Sequence, residues 1–425
     1  MTATDAVHRA PFSPDVSVAE YEAAAERWLS ERLPRAQEED LEWGKGSDDV
    51  SVFHRLSFEE EAELLRRMSG WHQQRCDAGF GAIAWPVELG GAGLTVEHQR
   101  AYDRAEAGFA TPESHETFSV TTGLVAPTIN LFGTPSQRER FVRRFLRAEE
   151  LCCQLFSEPG SGSDLAGLAA SAVRDGDEWV VNGQKVWTSG AQFSQWGELL
   201  VRTDPSAAKH SGITAFIVPM DAPGVEIRPI KQMSGGSSFN EVFFTDVRLP
   251  DELRLGDVGA GWKVGLATLG FERGGSGRNR HVGGSWAQLL QLARWLERTA
   301  DPMVRQQLME VYISQRVLGF VRQRAASSAA AGRPPGPEGS IGKLAWAGGL
   351  ARIGAVAAEL LGPRITADTG EWGTFAWTDH LLGAPGYRIA GGSDEIQRNI
   401  IAERVLGLPG DVRVDRDRPW SEIPR

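Results

Sequence analysis

One short stretch of this chain carries more information than any other, residues 152–164, which read CCQLFSEPGSGSD. An apolar run ends there in glycine and hydroxyl residues, which allow a backbone to approach a bulky, oxygen-rich ligand closely. A second stretch, NGQKVWTS, follows at residues 182–189. It ends in Trp187, Thr188 and Ser189, an aromatic side chain beside two hydroxyls, which can wall a flat ring and hydrogen-bond its edge. The two stretches together indicate a site for a planar, polar ligand.

The residue pattern changes twice along the chain. Amphipathic helical patterns precede residue 150, and one of them begins with a capping box, Ser57 followed by Glu60. Short β-branched and aromatic runs separated by turn pairs then predict a small antiparallel β domain. Helical periodicity returns from about Gly261. We therefore expect an α+β protein with an N-terminal helical domain at 1–150, a β domain at 151–256 and a C-terminal helical domain at 257–425.

Composition and charge exclude several classes of function. The 425 residues carry a net charge of -11, which argues against nucleic acid or an anionic membrane as a bulk partner. The three cysteines have no CxxC spacing, and the eight histidines form no HExxH or triad-like grouping, so no metal site is predicted. No signal peptide and no uninterrupted apolar run long enough to span a bilayer is seen. The expected location is the cytoplasm.

Two further blocks complete a family resemblance: WPVELGGAGL at residues 85–94 and GGSDEIQRNIIAER at residues 391–404. With the two stretches quoted first, they follow the order of motifs in the acyl-CoA dehydrogenase family of flavoenzymes, which the chain resembles over most of its length. The resemblance implies a C-terminal four-helix bundle, FAD as cofactor and an acyl-CoA substrate. It also implies electron transfer to an electron-transfer flavoprotein, and a role in lipid metabolism such as β-oxidation.

The resemblance also implies a catalytic base. In this family a carboxylate removes the α-proton of the thioester while the β-hydride passes to N5 of FAD. Many members carry the base as a glutamate in the C-terminal block, where this chain has Gly391. Other members place it directly before an arginine on a helix of the C-terminal domain, and Glu272 with Arg273 is similar to that arrangement. Glu272 is therefore the expected base, against the alternatives of a surface glutamate or one member of a Glu–Arg pair.

Further site residues follow from the same resemblance. Trp187 and Ser189 match positions that flank the flavin ring, although core packing is the alternative for the tryptophan. The N–H of Gly391 is expected to bind the thioester oxygen, and Arg273 to organise the pocket or to pair with Glu158. The expected FAD contacts are Gln154, Phe156, Ser157, Gly162, Ser163, Trp187, Thr188, Ser189, Arg298, Gly362, Ser393 and Glu395, and the expected substrate contacts are Ser163, Arg273 and Gly391.

Departures from the family pattern bear on assembly and substrate. Arg298 lacks the Phe-Gly pair that follows it in relatives, and Gly362 precedes Pro363 where relatives often have a Gly-Gly pair. These differences resemble bacterial members that form α2β2 assemblies, so a homotetramer or an α2β2 heterotetramer with a related chain is expected. A flavin oxidase or monooxygenase of the same fold, and a non-catalytic subunit, are the alternative functions. Space at Gly391 suggests a branched or bulky acyl group, such as a steroid side chain.

Overall fold

The computed structural model describes residues 11–36, 50–112, 115–274, 282–330, 336–367, 374–412, 415 and 418–423. For residues 272–274 and 329–330 it describes the backbone alone.

Helices occupy the first third of the chain. They are α1 (Val18–Ser30), α2 (Phe58–Asp77), α3 (Val96–Glu106), α4 (Glu116–Phe118), α5 (Ala126–Phe132), α6 (Pro135–Gln137) and α7 (Arg143–Leu146). The expected capping box is present, because the Ser57 N–H donates to the Glu60 carboxylate over 2.8 Å while Ser57 Oγ accepts from the Glu60 N–H. π-Helical turns at Ser119–Val125 and Arg138–Val142 join α4 to α5 and α6 to α7.

A twisted sheet follows the helices. Its strands are β1 (Cys152–Leu155), β2 (Ser171–Asp175), β3 (Glu178–Ser189), β4 (Trp196–Arg202), β5 (Ile213–Pro219), β6 (Val225–Ile230), β7 (Phe239–Pro250) and β8 (Arg254–Leu255). The strand order is β6-β7-β3-β2-β4-β5-β8, with β1 beside β4. The prediction of an antiparallel sheet is confirmed for most pairs, but β1 and β2 both run parallel to β4. Gly176, at a φ of +68°, forms the tight turn between β2 and β3.

The remaining described elements are helical, as predicted. They are α8 (Gly261–Gly274), α9 (Trp286–Trp295), α10 (Pro302–Ala330), α11 (Gly339–Leu361), α12 (Thr374–Tyr387) and α13 (Asp394–Ile400). The helical stretch Gly339–Thr366 is long and apolar enough to cross a membrane. The core helix of a soluble protein can meet the same criteria of length and composition. Since Ile353, Val356 and Ala357 of α11 pack in one apolar cluster with side chains of α9 and α10, we interpret α11 as a core helix.

The sheet has an apolar cluster on each side, and adjacent residues of β1 face opposite clusters. Cys152 packs with α5, α7 and α8, whereas Cys153 packs among the side chains of β3, β4 and β7. Both thiols are fully buried and free, as expected for small core residues. Because β1 is packed on both faces, the glycine-rich loop that follows it begins at a well-fixed strand end.

Candidate functional site

The two stretches singled out in the sequence lie side by side. The Val186 N–H on β3 donates to the Ser157 carbonyl over 2.9 Å, which ties the loop after β1 to the strand end that carries Trp187. Ser157 is half-buried, and Gly162 and Ser163 are exposed further along the loop. Glu158 and Ser161 exchange backbone hydrogen bonds of 2.9 and 3.0 Å, which closes the loop into a tight turn.

Trp187 occupies a bulge in β3. The pairing of β3 with β7 shifts register between Lys185 and Thr188, and Trp187 within this break has a φ of +62°. A left-handed backbone is costly for a bulky side chain, and bulges commonly redirect a side chain at functional sites. The indole is 60% exposed, so the alternative of core packing for this tryptophan is wrong. Thr188, by contrast, is buried, and its Oγ has no hydrogen-bond partner among the described residues.

A buried ion pair supports the loop from below. Lys185 Nζ donates to Glu158 Oε1 over 2.7 Å and to the Phe156 carbonyl over 3.1 Å. The Glu158 carboxylate also accepts from the backbone N–H groups of Ala169 and Ala170. Burial lowers the pKa of the Lys185 ammonium, an effect that the neighbouring carboxylate offsets in part. Glu158 therefore already has a cationic partner, which weakens the expectation that it pairs with Arg273.

Ser189 contacts a carboxylate that the sequence did not indicate. Ser189 Oγ donates to Glu116 Oε2 over 3.1 Å, across 73 residues of sequence. Glu116 is accessible to solvent, yet burial among protein atoms raises the pKa of its carboxyl group. The two observations place this carboxyl group in a recess beside the end of β3. No local sequence pattern near Glu116 could have revealed the contact, because Ser189 lies in the β domain and Glu116 in the N-terminal helical domain.

The expected base lies on α8, with its side chain outside the described part. Thr268, one turn before Glu272, donates to Glu198 Oε1 on β4 over 2.7 Å and lies 2.9 Å from the Thr128 hydroxyl of α5. A Cβ added to Gly265 on the same helix would come within 3.6 Å of the Phe156 ring. These contacts hold α8 next to the loop that contains Ser157.

The C-terminal block forms a fixed glycine turn. Gly391 and Gly392 have φ values of +63° and +85°, a conformation that favours glycine. Gln397 Nε2 donates to the Gly391 carbonyl over 2.8 Å, and Lys343 Nζ donates to the Gly392 carbonyl over 2.6 Å. Ser393 caps α13 by accepting from the Ile396 N–H. These contacts hold the turn against α11 and α13.

The other expected cofactor residues are dispersed. Arg298 forms an ion pair of 2.9 Å with Asp301 of its own chain, and Gly362 ends α11 at a φ of +57°. Glu395 is exposed in the first turn of α13. Gln154, on β1, keeps its Nε2 buried with no hydrogen-bond partner among the described residues. Within this single chain, then, Arg298, Gly362 and Glu395 are not joined to the Ser157 loop by any described hydrogen bond.

A cluster of His54, Glu61 and His115 has ligand atoms that lie within 4.8 Å of one another. The backbone N–H of Thr117 donates to His115 Nδ1, which must therefore be an acceptor. His115 Nε2 then carries the proton and donates to Glu61 Oε1 over 2.8 Å. A metal at Nε2 would require the proton to move to Nδ1, against the Thr117 N–H. This tautomer identifies the cluster as a hydrogen-bonded support for the start of α4.

Comparison with known proteins identifies the family. Models of the N-terminal, middle and C-terminal domains of acyl-CoA dehydrogenases match residues 53–149, 153–247 and 259–406. Acyl-CoA dehydrogenase IpdE1 of Mycobacterium tuberculosis is 40% identical over 356 residues, 83% of this chain and 91% of that protein. IpdE1 of Mycolicibacterium smegmatis is 37% identical over 411 residues, 94% of this chain and 100% of that protein. The chain belongs to the acyl-CoA dehydrogenase family.

A solved structure agrees with this assignment. The ChsE4–ChsE5 complex from Mycobacterium tuberculosis contains a chain that is 27% identical to this one, with a TM-score of 0.67 over 95% of this chain and 100% of that chain. The protein is accordingly an oxidoreductase of the acyl-CoA dehydrogenase class, and FAD is its cofactor. The predicted family, fold class and cofactor are confirmed.

Proposed function

We propose that this protein catalyses the α,β-dehydrogenation of an acyl-CoA thioester, with Glu272 as the base that removes the α-proton. The observation that carries the proposal is the position of α8. Thr268 anchors this helix to β4 and α5, beside the Phe156 ring, and Glu272 follows one turn later. The C-terminal turn offers Gly391, which has no carboxylate to perform the same step.

The α-proton of a thioester is too weakly acidic for a carboxylate unless the carbonyl is polarised. The backbone N–H of Gly391 is the donor that we assign to the thioester oxygen. Gln397 and Lys343 fix the glycine turn through its carbonyl groups, so this N–H is held in place before substrate arrives. Fixed donors of this kind cost little reorganisation during the reaction.

The residues near the Ser157 loop fit a flavin. Trp187 presents an exposed indole on a strained bulge, Ser189 presents a half-buried hydroxyl, and Gln154 holds a buried amide donor that needs an acceptor. The carbonyl oxygens of a flavin ring are acceptors of that kind. When bound, FAD supplies the acceptor for the hydride that leaves Cβ. The chain's own role is to bind the ring, exclude water and hold the base opposite it.

For assembly, we infer a tetramer, homomeric or α2β2 with a related chain. Arg298 pairs with Asp301 within the chain, so it is less available for the FAD of a neighbouring subunit. The similar ChsE4–ChsE5 structure is a complex of two chains. An electron-transfer flavoprotein is the proposed electron acceptor, and the cytoplasm the proposed location. A branched or bulky acyl group remains the proposed substrate class.

Two other functions stay open to test. A same-fold oxidase or monooxygenase would consume oxygen during turnover, whereas the proposed dehydrogenase reduces an artificial acceptor much faster than oxygen. A non-catalytic subunit would neither hold flavin nor be inactivated by a change at Glu272. Oxygen uptake by the purified protein is measured with acyl-CoA, with and without the artificial acceptor. This measurement distinguishes the dehydrogenase from an oxidase or monooxygenase.

The proposal is tested with Glu272→Gln, which keeps the size of the side chain but cannot accept the α-proton. Anaerobic bleaching of the flavin by an acyl-CoA should slow by about 100-fold or more, while flavin content is unchanged. Glu226→Gln on β6 is the matched control, since Glu226 is exposed and pairs with Arg228. Bleaching of the Glu272 variant at the wild-type rate would refute the assignment.

Moving the base is a second test. Pairing Glu272→Gly with Gly391→Glu should restore part of the turnover, because both positions approach the same α-carbon in this family. Restoration should be incomplete, since a glutamate at position 391 must adopt a φ of +63°. The double variant is compared with Glu272→Gly alone in the same bleaching measurement.

A further inference from the structure

The recess beside the end of β3 contains one carboxylate among aromatic rings. Glu116 accepts from Ser189 Oγ through Oε2, and Oε1 has no hydrogen-bond partner among the described residues. Burial raises the pKa of this carboxyl group, while the Ser189 hydrogen bond and His115 lower it. Within the described part of the chain no lysine or arginine pairs with it. A carboxyl group that solvent can reach but that protein atoms surround is positioned to bind a ligand.

The wall of the recess is a continuous chain of aromatic side chains. The Trp187 and Phe239 ring centroids are 6.1 Å apart, and Phe239 and Phe53 are 5.5 Å apart. Phe53 stacks on Tyr387 at 5.0 Å with an interplanar angle of 17°, and Tyr387 meets Trp346 at 4.6 Å. Each of the five rings is exposed or half-buried. The wall therefore runs from the proposed flavin edge at Trp187 to α11.

Tyr387 links this wall to the carboxylate. Burial raises the pKa of the Tyr387 phenol, and the negative charge of Glu116 raises it further. Ser189, which donates to Glu116, lies opposite Phe239 of the wall in the pairing of β3 with β7, so the carboxylate lies beside the wall. Such a lining matches an acyl group with a flat or alicyclic body and one polar substituent, because a purely hydrocarbon group would remove water from Glu116 and return no hydrogen bond.

We propose that Glu116 is a specificity-determining residue that accepts a hydrogen bond from a hydroxyl group on the acyl part of the substrate, whose ring body packs against the aromatic wall. The proposal rests on the proposed acyl-CoA dehydrogenation, since Ser189 brings the carboxylate to the flavin edge. Glu116 is not assigned a part in proton transfer, which belongs to Glu272. A hydrogen bond to a charged partner supports a preference of roughly 10- to 100-fold for the hydroxylated substrate.

The test uses two matched pairs of thioesters: cyclohexanecarboxyl-CoA with 4-hydroxycyclohexanecarboxyl-CoA, and hexanoyl-CoA with 6-hydroxyhexanoyl-CoA. For each pair, the ratio of kcat/KM is measured with an artificial electron acceptor, and thioester binding is measured by calorimetry. The wild type should favour the hydroxylated member of at least one pair. Glu116→Ala should bring that ratio to about 1, mainly by raising KM for the hydroxylated member.

Glu116→Gln keeps the size of the side chain, and its ratio of kcat/KM should fall between those of the wild type and Glu116→Ala. The control Glu226→Ala should have the ratio of the wild type. Flavin absorbance and thermal stability of each variant show whether it folds and loads. Loss of flavin, or an equal loss of activity with both members, would show that Glu116 only positions Ser189 and would overturn the proposal. An unchanged ratio would also overturn it. Failure of every thioester to reduce the wild-type flavin would instead refute the proposed function.

Discussion

Glu198 is an ionisable group inside the protein core, on the strand that supports the helix of the proposed base. It is fully buried, Oε1 accepts from Thr268 Oγ1 over 2.7 Å, and Oε2 has no partner among the described residues. Burial raises the pKa of Glu198 to about 8, and the Thr268 hydrogen bond offsets part of that rise. At neutral pH the group is therefore mostly neutral, which removes a charge from beneath α8.

This shift predicts a dependence of stability on pH. The unfolded carboxyl group has its ordinary pKa near 4.5, so the folded protein binds more protons between pH 4.5 and pH 8. Stability should fall as pH rises through this window, by on the order of a few kcal/mol. Glu198→Gln, which is neutral at every pH, should flatten the fall. Urea denaturation from pH 5 to pH 9 checks this, and equal slopes for the two proteins would contradict it.

Trp187 predicts a measurable contribution to flavin binding. Its indole is 60% exposed on a backbone with a φ of +62°, and we assign it to one face of the ring. Trp187→Ala should weaken flavin binding about fivefold, for a lost stacking contact of about 1 kcal/mol. Trp187→Phe, which keeps a ring, should lose less. Phe58→Ala, at a side chain of similar exposure on α2, is the control. Fluorescence titration of the apoprotein with FAD measures all three.

At the scale of elements, the second half of α10 is poorly covered by the described part of its own chain. Val304, Leu308 and Val311 are buried in its first half. Beyond them the described side chains are exposed or half-buried, and they include Ile313 at 55%, Val317 at 53% and Phe320 at 56% exposure. Their spacing of four and three residues places these apolar side chains on one face. A face of this kind is typical of a subunit interface.

Charges on this face should disrupt assembly. The double variant Ile313→Asp with Val317→Asp should shift the protein from a tetramer to smaller species, because aspartate cannot be buried there without a partner. Gln306→Asp, on the exposed surface of the first half of α10, should leave assembly unchanged. Light scattering at micromolar concentration gives the masses. A wild-type monomer under these conditions would refute the tetramer itself.

At the scale of the whole molecule, the cofactor site depends on assembly. The Ser157 loop, Trp187 and α8 lie together in one chain, whereas Arg298 pairs internally with Asp301. We expect the purified protein to be yellow, with a higher FAD content when a related partner chain is co-expressed. Extraction of FAD and its measurement per chain checks this. A protein free of flavin in both preparations would contradict the proposed site.

Local sequence was sufficient for the features that depend on local chemistry. The capping box at Ser57, the turn glycine at 176 and the loop of residues 157–163 follow from side-chain and backbone preferences over a few residues. The order of the four sequence blocks at residues 85–94, 152–164, 182–189 and 391–404 was enough to predict the family and therefore FAD as its cofactor. A helical domain before residue 150 was predicted, but the π-helical turns at Ser119–Val125 and Arg138–Val142 within it were not.

Only the tertiary structure decided which charged groups matter, because desolvation and pairing join residues far apart in sequence. Glu116 meets Ser189 across 73 residues, Glu198 meets Thr268 across 70, and Lys185 meets Glu158 across 27. In the sequence each is an ordinary polar residue. Folding removes water from these groups and places a specific partner within hydrogen-bond distance. Desolvation and pairing together shift the pKa values of Glu116, Glu198 and Lys185.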